Sequence, residues 1–255
     1  MNDFLLIIFL VSVSLEKGLG DDVKWPTPTQ TIPLTDTKKV TKHLDCNYKK
    51  YVPTGGGWGS GEFMKPVIEI ADGVKISRCI VEGADGFHCL GTCTIEDCWN
   101  DHVLDDSISL FGTSPNSVYK INGGGARLGK GKTIQFDGAG KLYVNNFYID
   151  GAGQGIRPCG NCKQQYRNRE VHVDGLTIRN LEAGQYVVGV NKNYGERATL
   201  KNIHIYGSTA NQVFPCKVFE GNNQGKNPKV LQSENDNGGD GTYCIYKKSD
   251  IHINS

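Results

Sequence analysis

The sequence predicts an all-β chain wound as a solenoid, a parallel β-helix. Three observations support this. Short apolar–polar segments that look alike recur at intervals of roughly 20–35 residues, the period of a stacked-repeat architecture. No stretch of about 12 residues keeps a clean helical apolar period. Glycine supplies 33 of the 255 residues, well above the usual ~7%, with no strict G-X-Y period to suggest collagen. Many glycines among short β-rich runs mean many tight turns.

The repeating segments are VKISRCIVEG at 74–83, TIEDCWNDH at 94–102, LYVNNFYIDG at 142–151, LTIRNLEAG at 176–184 and ATLKNIHIYG at 198–207. Aligned, they place the aliphatic residues Ile76, Ile95, Val144, Ile178 and Leu200 in one position, with Val118 filling the gap between Ile95 and Val144. A β-sandwich would need hairpin turns every ~8–12 residues, and these intervals are too long for that. In a solenoid no coil buries its apolar face alone, so neighbours stack at ~4.8 Å per rung. Ile, Val, Leu and the in-line cysteines then point inward. Asp97, Asn146, Asn180 and Asn202 fall at corresponding turns, where side chains can ladder. The longest interval, 144 to 178, implies an insertion over about 150–172 on one face, and in solenoids such a face commonly binds.

At the N-terminus, FLLIIFLVSVSL (4–15) is too short to span a bilayer and has the length of a secretory h-region. Gly18 and Gly20 offer a cleavage site before Asp21. Residues 1–20 are therefore read as a signal peptide, 21–255 as one domain, and the protein as secreted. Net charge is +1, and loss of Asp3, Glu16 and Lys17 with the leader leaves +2. So neutral a chain argues for no nucleic acid and no membrane partner, and a monomer is expected. All nine cysteines follow residue 20, which in a secreted chain reads as a disulfide framework with one thiol left over. Cys159-Gly-Asn-Cys162 has no second CxxC or HxxxH to complete a zinc site. It is close enough for a local disulfide, as is Cys89/Cys93. Residues 21–45, with Pro26, Pro28 and Pro33, read as an extended arm outside the core. GGGARLGKGK lacks the phosphate-loop spacing and reads as a turn delivering Lys132. The last ~40 residues are placed as a cap, which solenoid ends require.

Coil spacing also organises the charges. Asp85 lies 20 residues before Asp105, Asp106 lies 26 before Lys132, and Lys132 lies 25 before Arg157. Each interval is near one coil, which predicts a strip on adjacent rungs. Three neighbouring carboxylates repel unless a cation or protons join them. An all-oxygen set suits a hard cation, Ca2+ above all. The strip then turns cationic, as a polyanionic substrate requires. His88, His102 and His172 read as turn or core-edge residues, and Trp99 as packing at a coil corner.

The segments ADGFHCLGTCTIEDCW, VLDDSIS, INGGGARLGKGKTIQFDGAGKLYVNNFYIDG, IRPCGNC and VGVNKNYGERATLKNIHIYG closely resemble the pectate lyases of polysaccharide lyase family 3. The likeness covers residues 65–216. It implies a single-domain right-handed parallel β-helix that cleaves polygalacturonate (pectate) by β-elimination with calcium. By position it implies Asp85, Asp105 and Asp106 as calcium ligands, and Lys132 and Arg157 in the catalytic and substrate-binding cluster. Asp105 stands where the family usually has a longer glutamate. Phe111 stands where the family usually has a lysine, five residues after the acidic pair. That exchange opens a second reading, a relative that binds pectate without cleaving it efficiently, or a secreted effector.

On physical grounds Lys132 is expected to take the C5 proton, because a lysine gives up its proton more readily than an arginine. Arg157 is expected to clamp a substrate carboxylate with two parallel hydrogen bonds.

Overall fold

The structure, a computed structural model, describes residues 23–55, 58, 64–234 and 238–254. The expected signal peptide lies outside the described residues. The chain alternates between two long sheets. The first runs through Gln30–Leu34, Lys49–Pro53, Ile80–Glu82, Cys93–Asp101, Val118–Arg127, Lys141–Asp150, Glu170–Arg179, Arg197–Tyr206 and Cys244–Ile245. The second runs through Lys38–Val40, Ile68–Ile70, Phe87–Cys89, Ile108–Leu110, Lys132–Phe136, Gln154–Pro158, Tyr186–Asn191, Phe214–Glu220 and Lys229–Glu234. Each strand pairs in parallel with the strand one coil later, apart from the antiparallel Phe214–Glu220/Lys229–Glu234 pair. This is the predicted parallel β-helix.

The core is a set of stacked aliphatic columns. One runs Ile76, Ile95, Ile121, Val144, Val173, Leu200, all essentially buried. Two of the markers chosen from the sequence change here: Ile121 replaces Val118 and Val173 replaces Ile178. Ile178 belongs to a parallel column with Ile149 and Ile205. Both columns point inward, so apolar pattern alone does not separate them.

Two turn columns hold five of the 33 glycines. Immediately after the first aliphatic column come Arg78, Asp97, Gly123, Asn146, Gly175 and Asn202, all with φ between 49° and 77°. Five residues later come Gly83, His102, Leu128, Gly151, Asn180 and Gly207, again all with positive φ. Each coil thus bends twice through the left-handed region, which favours Gly, Asn and Asp. The expected Asp97/Asn146/Asn202 alignment is present, whereas Asn180 belongs to the second column. The side-chain ladder itself forms one position earlier, where Asn145 Nδ2 donates to Asn122 Oδ1 at 2.9 Å.

The N-terminal reading needs correction. Gln30–Leu34, Lys38–Val40 and Leu44–Asp45 are strands of the first coil, not a free arm. Val40 and Cys46 are buried in the core, and Cys46 is bonded to Cys79 on the next coil. Pro33 is accommodated because an edge strand can omit a donor, and Pro26 and Pro28 precede the first strand. At the other end Cys244–Ile245 and Ile251–Asn254 pair with Arg197–Tyr206, and Cys244 is bonded to Cys216, which forms the expected cap. The two local disulfides, Cys89–Cys93 and Cys159–Cys162, are present, and Cys98 is the free, buried cysteine. Trp99 packs edge-on against Trp25 at 4.7 Å. Among the described residues no helix is long and apolar enough to cross a membrane.

Candidate active site

The second sheet carries the site on its outer face. Phe87, Ile108, Ile134 and Ile156 are register partners on successive rungs and point into the core. Two residues before each of them stand Asp85, Asp106, Lys132 and Gln154, with Lys132 paired directly to Gln154. The predicted acidic-to-cationic strip therefore exists. Its second member is Asp106, and Asp105 sits beside it.

Arg157 is not on this strip. Its register partners are Gln135, Ser109 and His88, a second outward column. Arg157 thus lies one rung beyond Lys132 and three positions further along the strand, roughly 10 Å at ~3.3 Å per residue. Counting coil lengths from sequence mistook this offset for a stack, because the turn between Lys132–Phe136 and Gln154–Pro158 is shorter than the one before it.

Within the strip the carboxylates are tightly held. Asp85 Oδ1 accepts from the Asp106 backbone N–H at 3.0 Å. Asp85 Oδ2 lies 2.5 Å from His88 Nε2 and 3.4 Å from Ser109 Oγ. Asp106 Oδ1 accepts from the Lys132 backbone N–H at 2.7 Å and faces Lys132 Nζ at 3.5 Å. Burial, with the nearby charges of Asp85 and Asp105, pushes the Asp106 carboxyl up to about 7 despite Lys132. This buried acidic pair is short of positive charge, which is the condition a hard cation relieves. Gly131 lets Asp105 approach closely: a Cβ there would meet Asp105 Oδ1 at 2.5 Å and its backbone O at 2.6 Å. GGGARLGKGK is only in part the expected turn, since Gly123, Gly124 and Gly125 lie within Val118–Arg127. Among the described residues, the one trio of potential ligand atoms within 4.8 Å is Asp137, Cys159 and Cys162, whose two sulfurs are joined in a disulfide and cannot ligate. The oxygens of Asp85, Asp105 and Asp106 do not converge that closely.

Arg157 is 6% exposed. Its Nη2 donates to Asn191 Oδ1 at 3.0 Å, its guanidinium lies 4.1 Å over the Phe219 ring, and its Nη1 is buried with no partner. Burial pushes the guanidinium below its ordinary range, and Arg169 adds in the same direction. For the clamp expected of Arg157, Nη1 is without a partner while Nη2 already makes one bond to Asn191. Asn191 is itself fixed: Glu196 Oε2 accepts from its backbone N–H at 2.6 Å and from its Nδ2 at 2.8 Å. Glu196 Oε1 in turn accepts from Arg169 Nε at 2.8 Å. A buried chain Arg169–Glu196–Asn191–Arg157 results, and sequence reasoning missed all of it except Arg157. The three other residues lie outside the repeating segments, although Asn191 and Glu196 fall within VGVNKNYGERATLKNIHIYG, one of the segments that carry the family resemblance. His88, read from the sequence as a turn or core-edge residue, stands on the outer face against Asp85. Its position between inward Phe87 and Cys89 was a readable sign that it faces the strip.

The fold and the strip define a β-helical protein with an acidic and cationic groove of the kind that handles acidic polysaccharides. The pectate lyase family matches residues 22–226. Pectate lyase E of Emericella nidulans is 34% identical over 243 residues, covering 92% of this chain and 88% of that protein. A probable pectate lyase F of Aspergillus fumigatus is 34% identical over 219 residues, covering 83% of this chain and 89% of that protein. The catalytic domain of pectate lyase PelI from Erwinia chrysanthemi superposes with a TM-score of 0.70 at 23% identity, covering 89% of this chain and 98% of that one. PelI in complex with tetragalacturonic acid superposes with a TM-score of 0.67. The chain belongs to the pectate lyase family.

Proposed function

We propose that the protein is a secreted, calcium-dependent pectate lyase that cleaves α-1,4-polygalacturonate by β-elimination and leaves 4,5-unsaturated oligogalacturonates. The observation that supports this most directly is the column of buried Asp85 and Asp106 with half-buried Lys132, one rung from Arg157, on the outer face of a pectate lyase β-helix. Asp85 and Asp106 would hold calcium, with Asp105 turning to join them. When bound, calcium draws charge from the substrate carboxylate and makes the C5 proton more acidic. Lys132 is the cation whose side chain reaches the groove, and it orients a substrate carboxylate.

The proton-accepting role falls to Arg157 rather than Lys132. The Lys132 ammonium is engaged by Asp106. Arg157 has no carboxylate within salt-bridge distance among the described residues, its guanidinium is pushed down, and its Nη1 lacks an acceptor. Arg157 in its neutral form, which burial favours, takes the C5 proton; the C5–H electron pair forms the C4=C5 double bond, the C4–O4 bond breaks, and O4 leaves with its electron pair and takes a proton from water. On polygalacturonate with calcium, Arg157→Ala is expected to lose about 10²–10⁴ in kcat, as for a general base. Lys132→Ala is expected to act more on KM. Near-normal turnover by Arg157→Ala would overturn the assignment.

A further inference from the structure

Beyond the acidic column, the same outer face opens into a cleft of about 240 Å3 lined by Phe111, Asp137, Gly138, Cys162, Gln164 and Tyr166. It is contiguous with the site. The Phe111 ring meets the His88 ring edge-on at 4.8 Å, and His88 is bound to Asp85. On its other side Asp137 Oδ1 accepts from Gln135 Nε2 at 2.6 Å, and Gln135 is the register partner of Arg157.

The lining has a definite chemistry. Two aromatic rings offer faces against which the C–H side of a sugar ring packs. Asp137 can accept sugar hydroxyls. Beside it the Gln135 side chain fixes the Asp137 carboxylate through its Nε2. No Lys, Arg or His lines the cleft. A uronate entering it would bring a carboxylate against Asp137 with no cation in the lining, the charges that act on Asp137, Arg169 and Lys132, lying outside it, and would be partly desolvated by the rings, both unfavourable. The same unit as a methyl ester carries no charge and adds one apolar methyl.

We propose that this cleft is a subsite for a methyl-esterified galacturonosyl unit, so that the groove accepts a chain with an acid unit over Asp106 and Lys132 and an esterified unit over Phe111 and Tyr166. The proposal rests on the pectate lyase reading and sharpens its substrate to partly methyl-esterified pectin.

The test uses the full-length mature protein with pectins of equal chain length, fully de-esterified or partly methyl-esterified, and compares kcat/KM as a ratio. The wild type is expected to favour the esterified chain. Phe111→Lys brings a cation to the cleft and is expected to shift the ratio toward the acid by about fivefold, the effect of one solvent-screened charge contact. Asp137→Asn, which keeps the Gln135 hydrogen bond, is expected to shift it in the same direction. Unchanged ratios in both variants, with native thermal unfolding, would overturn the subsite. Should neither pectin be turned over, the lyase reading fails, and calorimetric binding of the two oligomers decides the subsite separately. Preference for the ester that is lost in Phe111→Lys supports it. No binding, or equal binding of a neutral galactan oligomer, refutes it.

Discussion

Removing the Glu196 carboxylate is expected to be among the most damaging single changes in the molecule. Both Arg169 and Glu196 are 0% exposed. Glu196→Ala deletes the acceptor for Arg169 Nε and for the Asn191 backbone N–H and one of the acceptors of Asn191 Nδ2, and leaves a buried guanidinium without its ion-pair partner. Breaking a buried pair in this way costs about 3–5 kcal/mol. At ~2–4 °C per kcal/mol for a chain of this size, the unfolding midpoint should fall by about 6–20 °C. Apolar replacement of both partners should restore only part of it, because Arg169's own bonds to Phe136 O and Cys159 O are lost, although those carbonyls keep the Cys159 N–H and Asn191 Nδ2 as donors. A useful contrast is Lys39–Glu69, a 4.0 Å pair whose lysine side chain is 75% exposed. Lys39→Ala should move stability by less than ~1 kcal/mol. Scanning calorimetry on the three variants measures the difference. If Glu196→Ala moved the midpoint no more than Lys39→Ala, the view of this chain as the internal brace of Arg157 would be wrong.

Two further expectations concern single groups. Asp106 keeps a proton in the folded protein up to about pH 7 that the unfolded chain has released near pH 4. In chelator, therefore, stability should fall as pH rises through that window, and Asp106→Asn should reduce the slope. Calcium competes with the same proton, so its apparent affinity by titration calorimetry should weaken below about pH 7. Cys98 is buried, and its thiol is pushed up to about 12 by that burial. It should be silent to a thiol reagent in the native state and react once on unfolding; native-state labelling at a rate like that of an exposed thiol would contradict its placement.

The winding of the chain was legible because its physical cause is periodic. Stacked Ile and Val columns and αL turns leave a repeating mark in the sequence. What was lost was register at the level of a few residues. Val173 and Ile178 both point inward, so the pattern could not choose between them. A similar ambiguity in coil length placed Arg157 over Lys132 when Gln154 occupies that position. The Asp85/Asp106 proximity was readable because the coil between them has no insertion. The Arg169–Glu196–Asn191 support was not, since its partners are 5 to 34 residues apart and meet only through the fold. The first coil was not legible because Pro26 and Pro28 just before the edge strand, and Pro33 within it, resemble a linker.

The central claim is tested most directly by the absorbance of the unsaturated uronide released from polygalacturonate. The wild-type protein should produce it with calcium, stop when a chelator is added, and resume when calcium is restored, while Arg157→Ala produces little under all three conditions. A folded wild-type protein that releases no unsaturated product with calcium, or releases it equally in chelator, would contradict the account.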